Sequence, residues 1–268
     1  MAHNLNFNSN TGRYSFFSVK EKAWHNLGQI VEQYPTSSEA IKHAGLDYEV
    51  AKTPIFTKGS GIVETANGME IGGNELNVPN YFANIRTDNN AVLGVVGKDY
   101  QIVQNREAFS FFDAIVGGGE GILYETAGAL GNGERIFITA KLPDYIRVGH
   151  GDDVTEKYIF LTTSHDGSGS ITAAFTPVRI VCQNTLNASL RNMSNVIRIR
   201  HTAGAKQRLE EAHKVMGLAN TLSNHLETTF NQWAMVKVTD NEIKKLIQLA
   251  LCLLSISRQV LLPVRRVG

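Results

Sequence analysis

The sequence predicts an α+β fold: a large, mostly antiparallel β-sheet followed by C-terminal helices. Three observations carry that prediction. Short runs rich in Val, Ile, Phe, Tyr and Thr recur from Tyr48 to Cys182, separated by Gly, Asn and Asp, which is the punctuation of strands and tight turns. After His201 the apolar spacing changes, and Leu209, Ala212, Met216, Ala219, Leu222 and Leu226 recur at helical intervals. No linker of Pro/Ser/Gly type interrupts the chain, so residues 1–268 read as one domain. Within it lie an arm and short helix over 1–47, a sheet core over 48–202, a helical region over 203–254 and a tail over 255–268.

The elements follow in order. Residues 1–20 read as a loosely held polar arm ending in Tyr14, Phe16 and Phe17, and Trp24 as an anchor into the core with His25 a satisfied structural histidine. Thr36 or Ser37 caps a short helix that stops at Gly45. Strands are expected over 48–56, 62–71, 81–87 and 92–103, with turns at Asn67-Gly68 and Asp88-Asn89-Asn90. Asn105 caps a helix over 106–116, which Gly117-Gly118-Gly119 ends. Strands return over 122–129, 134–142, 157–164 and 171–182, and Gly167 to Gly169 close a hairpin before the last of them. Asn184 caps a helix over 185–191, Arg198 and Arg200 share one face of a short strand, and helices over 206–230 and 240–254 complete the chain.

Composition excludes several classes. The chain of 268 residues is 43% hydrophobic and 19% charged, as ordinary globular proteins are. The first residues hold no apolar run of signal-peptide type, and no stretch approaches the roughly 20 apolar residues of a membrane span. Cys182 and Cys252 lack a partner motif, which suits a reducing, cytoplasmic compartment and gives no zinc-ligand spacing. Neither Gly117-Gly118-Gly119 nor Gly128 to Gly133 has the spacing of a phosphate loop. No metal or cofactor is expected.

Charge is distributed unevenly. Residues 1–190 hold 14 Lys/Arg against 20 Asp/Glu, whereas 191–214 hold 6 against 2. Such a basic stretch on an acidic body is the footprint of a polyanion partner, a solvated helix face being the plain alternative. Its candidate phosphate contacts are Arg191, Arg198, Arg200, Lys206 and Arg208, with His201 among them. Arg179 interrupts an apolar run and needs a partner such as Glu134, Asp166 or a cluster of carbonyls.

Thr176-Pro-Val-Arg-Ile-Val-Cys-Gln-Asn-Thr-Leu-Asn resembles the phage- and plasmid-like proteins that carry domain of unknown function 932. The likeness extends to Trp24-His25-Asn26-Leu27-Gly28, Val96-Gly97-Lys98-Asp99-Tyr100, Gly131-Asn132-Gly133-Glu134-Arg135, Ser164-His165-Asp166-Gly167-Ser168 and Ile199-Arg200-His201-Thr202, and it fades over Leu253 to Gly268. The resemblance implies a protein of a mobile element working in a bacterial host. It also makes the chain similar, by fold and setting, to phage single-strand annealing proteins of the Rad-fifty-two and Red-beta type.

Three functional expectations follow. The first is binding and annealing of single-stranded DNA in recombination by a homo-oligomer, a ring or filament. Phosphates would meet the basic stretch, while Tyr81, Phe82 and Tyr100 beside Arg86 and Lys98 would offer stacking platforms. The second is a cysteine-dependent enzyme pairing Cys182 with His165, oriented by Asp166 or Asn184; against it, a cysteine in an apolar run is usually a small core residue, and His165-Asp166-Gly167 serves equally as a turn. The third is an interaction factor that modulates a host system without touching DNA.

Overall fold

A computed structural model describes residues 3–59, 62–65, 68–71, 73–116, 123–147, 154–191, 196–210 and 228–259. In chain order the strands are β1 (Phe7–Asn8), β2 (Arg13–Tyr14), β3 (Phe16–Val19) and β4 (Gln29–Val31), then helix α1 (Ser37–His43). Next come β5 (Val50–Lys58), β6 (Ile62–Thr65), β7 (Gly68–Ile71), β8 (Glu75–Arg86), β9 (Val92–Gly97) and α2 (Asn105–Val116). The second half holds β10 (Leu123–Leu130), β11 (Arg135–Arg147), β12 (Val154–Ser164), β13 (Ile171–Thr176), α3 (Gln183–Arg191), β14 (Ile197–Ile199), α4 (Ala205–Glu210) and α5 (Asp240–Gln259).

The α+β expectation is met. Seven strands form the main sheet in the order β14-β13-β12-β11-β10-β3-β4, and every pairing is antiparallel except β3 with β4. Successive side chains of a strand face opposite ways, and this sheet buries both faces. On one face Phe17, Ile136, Ile138, Ile159 and Leu161 pack beneath Ala40, Phe109 and Phe112 of α1 and α2. On the other, Phe16, Phe137 and Phe160 pack with Leu5, Cys182 and with Leu186 of α3. The body is therefore helix, sheet and helix in three layers.

Two expectations are corrected here. Residues 3–20 are no loose arm: β3 pairs with β10 inside the sheet, and Phe16 and Phe17, 1% and 0% exposed, enter the two cores. Strands β5, β8 and β9 do not extend the main sheet but form a second, three-stranded one. It meets the main sheet through turns. At Gly94 a Cβ would lie 2.5 Å from the Asp166 Cα, so only glycine permits that approach.

Smaller departures have local causes. Strand β13 ends at Thr176, where Pro177 removes a ladder donor, so Arg179 sits past the strand. Trp24 does not anchor the core; it is 60% exposed. His25 is satisfied as expected, with Nε2 3.0 Å from the Val181 carbonyl and Nδ1 accepting from the Leu27 N–H. The helix expected from Lys206 begins at Ala205, and its continuation over 211–227 lies outside the described residues, as do Asn67 of the turn at 67–68 and the glycines 117–119.

Candidate nucleic-acid interface

The turn of β10–β11 and the turn after β12 close one end of the main sheet, and the second sheet leans on both. Arg86, at the end of β8, is 0% exposed. Its guanidinium grips Asp88 through Nε at 2.9 Å and Nη2 at 2.7 Å, donates from Nη1 to Asn6 and to the Asn132 carbonyl, and lies 3.7 Å from the centre of the Tyr48 ring. Gly133 closes over it with φ +105°, where a Cβ would lie 2.6 Å from Arg86 Nη1. Arg86 therefore leaves the set of phosphate contacts: burial and a full set of partners make it structural.

Beside it, His165 is 0% exposed and its Nε2 meets Asn105 Oδ1 at 2.9 Å. Asn105 also donates to the Leu46 carbonyl, so it ties α2 to this junction instead of capping its helix. Asn84 donates to the His165 carbonyl. Asn84 Oδ1 and His165 Nδ1 are buried here without a hydrogen-bond partner among the described residues. Burial pushes the His165 imidazole down to about 4.

Next along this end lies the pair Tyr100 and His201, whose rings stack at 4.8 Å. Tyr100 donates to the Ser164 carbonyl, and His201 engages Thr163 Oγ1 and the Gln101 carbonyl. His201 is 5% exposed, so it holds residues 98–101 against 199–202 and is unavailable to a phosphate. Tyr100 is half-buried with one ring face covered. The outcome joins two segments a hundred residues apart: exposed Lys98 lies on a loop bonded to His201, just past β14. That strand holds exposed Arg198 but ends at Ile199, so Arg200 follows it and does not share its face as expected.

Strand β14 pairs only with β13 among the described residues and forms an edge of the main sheet. Arg198 sits opposite Thr172, on the face that α3 covers. Exposed Arg191 ends α3 on that face, whereas α4, with exposed Arg208, packs with Ala205 on the opposite one. The basic stretch is thus a rim around one sheet edge and not a single flat patch. Lys206 falls in α4, but its side chain lies outside the described residues. Tyr81, 55% exposed, pairs with Gly97 next to Lys98 and is the freest of the proposed stacking rings, because Phe82 is partly buried with the Lys52 ammonium 4.7 Å over its ring.

The enzyme expectation loses its geometry. Cys182 is fully buried in the core beneath α3, with Thr185 Oγ1 3.6 Å from its sulfur. His165 bonds α2, on the other side of the sheet. Asp166 makes the turn: its carboxylate accepts from the Ser168 N–H at 2.8 Å and from the Ser168 hydroxyl. Asn184 lies inside α3 and neither caps it nor orients a histidine; Thr185 Oγ1 accepts from the Val181 and Cys182 N–H groups instead. Among the described residues no group of three His, Cys, Asp or Glu side chains could hold a metal, and no helix is long and apolar enough to cross a membrane.

A second polar cluster, at the far end of the main sheet, was not foreseen from the sequence. Glu125 stands at a bulge in β10 and is 5% exposed. Arg179 donates from Nη2 to its Oε1 at 2.6 Å, and to the Val19 carbonyl. Lys141 pairs with Glu156, which also accepts from the Tyr158 hydroxyl. Arg179 Nε and Thr139 Oγ1 are buried here without a hydrogen-bond partner among the described residues. Burial raises the Glu125 carboxyl above the usual carboxylate range even beside Arg179. The readable signal was a lone acid in the apolar run Leu123 to Leu130, the counterpart of the lone cation at 179.

No curated protein matches the chain, and no solved structure does either. A family model described as a domain of unknown function (DUF932) matches residues 92–259. That span runs from β9 through α5 and contains β14, His165 and the Glu125–Arg179 pair, and the chain belongs to this family.

Proposed function

We propose that the protein binds single-stranded DNA and promotes strand annealing as an oligomer, in the recombination of a phage or plasmid. The observation that supports the reading is the rim of exposed cations at the β14 edge. Arg198 stands on the edge itself with Arg200 just past its end, Arg191 and Arg208 flank it on either face, and Lys98 lies on a loop of the second sheet bonded beside it. Residues 1–190, with 14 Lys/Arg against 20 Asp/Glu, would repel a polyanion elsewhere and leave this rim to capture it. Tyr81 supplies an exposed ring near Lys98 on which a base can stack. The likeness to phage- and plasmid-like proteins supplies the biological setting.

The test is a fluorescence titration of labelled oligonucleotides at several salt concentrations. Arg198→Gln with Arg200→Gln should flatten the dependence of log affinity on log salt by about 0.7 for each phosphate that is no longer neutralised. Replacement of both by Glu should weaken binding equally for unrelated sequences, because phosphate contacts carry no base information. Wild-type protein that binds nothing at low salt, or a double variant that keeps the wild-type slope, would reject the reading.

A further inference from the structure

The chain from Gln232 to Leu249 is exposed throughout. Between Trp233 and Leu249, eight large apolar side chains are 44–81% exposed, Met235 the most at 81%. Nothing in the described body covers them. Helix α5 begins with a sound cap: the Thr239 N–H donates to Glu242 Oε2 at 2.8 Å, and Thr239 Oγ1 faces the Glu242 N–H. Even so, most helical stability comes from packing an apolar face, and that of α5 is exposed.

That face has a definite pattern. Ile243, Leu246 and Ile247 fall on one side of α5, and Ala250, Leu253 and Leu254 continue the same spacing in the sequence. Asn241, Lys244, Lys245 and Gln248 fall on the other side. Apolar residues at alternating intervals of three and four are the seam along which two helices pair.

Charge and area both point to the partner. Asp240 and Glu242 occupy the first turn, and after Lys245 the next charged residue is Arg258, near the C-terminal end. Two copies laid antiparallel set the acidic first turn of each beside the Arg258 end of the other, with their helix dipoles opposed. A parallel pair sets like charges together. Covering the eight side chains would bury on the order of 800 Å² per protomer, the share of a standard stable interface.

We propose that α5, with the segment from Trp233 that leads into it, is a homodimer interface in which the α5 helices of two copies pair antiparallel about a two-fold axis. The dimer gives form to the oligomer that the nucleic-acid reading assumes. It is measured without nucleic acid, so either proposal can fail while the other stands.

Sedimentation velocity on the full chain, from sub-micromolar to tens of micromolar, reads the outcome. The wild type should sediment as a dimer. Leu246→Asp should sediment as a monomer whose body unfolds in the same transition, followed by circular dichroism, while Lys244→Gln on the polar side should stay dimeric. In a Cys252→Ser background, Leu249→Cys near the two-fold should form an intermolecular disulfide on mild oxidation, and Ile243→Cys should not. A wild type that is monomeric at every concentration would overturn the proposal, as would a Leu246→Asp variant that stays dimeric. A monomer that instead binds phosphatidylserine vesicles through this face would overturn it too.

Discussion

Arg179 is readable in the sequence as a cation that needs company, because an unpaired charge in an apolar run is costly. The partner is not readable. It is Glu125, 54 positions back in the chain, and neither of the acids nearer in spacing or motif, Glu134 and Asp166. Removing the cation should strand a buried carboxylate: Arg179→Met should lower stability by about 3 kcal/mol. Adding Glu125→Gln should recover much of that loss, because the double variant leaves no unpaired charge. Urea denaturation midpoints of the three variants check this, and a double variant no more stable than Arg179→Met would refute the pairing argument.

At the scale of elements, the turn of residues 165–168 joins the main sheet to the second one, and its histidine makes the junction sensitive to acid. His165 is held neutral by burial, with His201 and Arg86 also disfavouring its protonation and Asp166 opposing them. Its native value of about 4 lies below the 6.5 of the unfolded chain, so the unfolded state takes up a proton that the native state refuses. The stabilisation is therefore complete above about pH 6.5 and declines as pH falls toward 4. His201, also lowered by burial, acts in the same direction. Between pH 7 and pH 5 the wild type should lose on the order of 2 kcal/mol more than His165→Asn does. Chemical denaturation at the two pH values measures it; equal losses would show that His165 does not carry the effect.

At the scale of the molecule, the N-terminal segment closes the sheet. Strand β3 occupies the flank of β10, β4 forms the sheet's outer edge, and Phe16 and Phe17 enter separate cores. Losing two buried phenylalanines costs about 3–5 kcal/mol each, which rivals the whole stability of a domain at about 5–15 kcal/mol. A chain lacking residues 1–31 should therefore fail to fold cooperatively, as thermal unfolding followed by circular dichroism would show. A truncated chain with a sharp transition would mean that β10 tolerates an open edge.

What the sequence determined by itself was local. The α+β class, the glycine turns, the Thr36 cap of α1 and the satisfied state of His25 all rest on chemistry within a few residues, where the chain has few alternatives. The tertiary structure decided everything that depends on which strand lies beside which. It moved Phe16 and Phe17 into the cores, separated β5, β8 and β9 from the main sheet, buried Arg86 and His201, and set Cys182 and His165 on opposite sides of the sheet. It also spread Arg191, Arg198, Arg200 and Arg208 around one edge. The physical reason is that strand pairing and burial are contests among distant segments, settled by the total apolar area hidden and polar groups paired, and no window of the sequence contains both contestants.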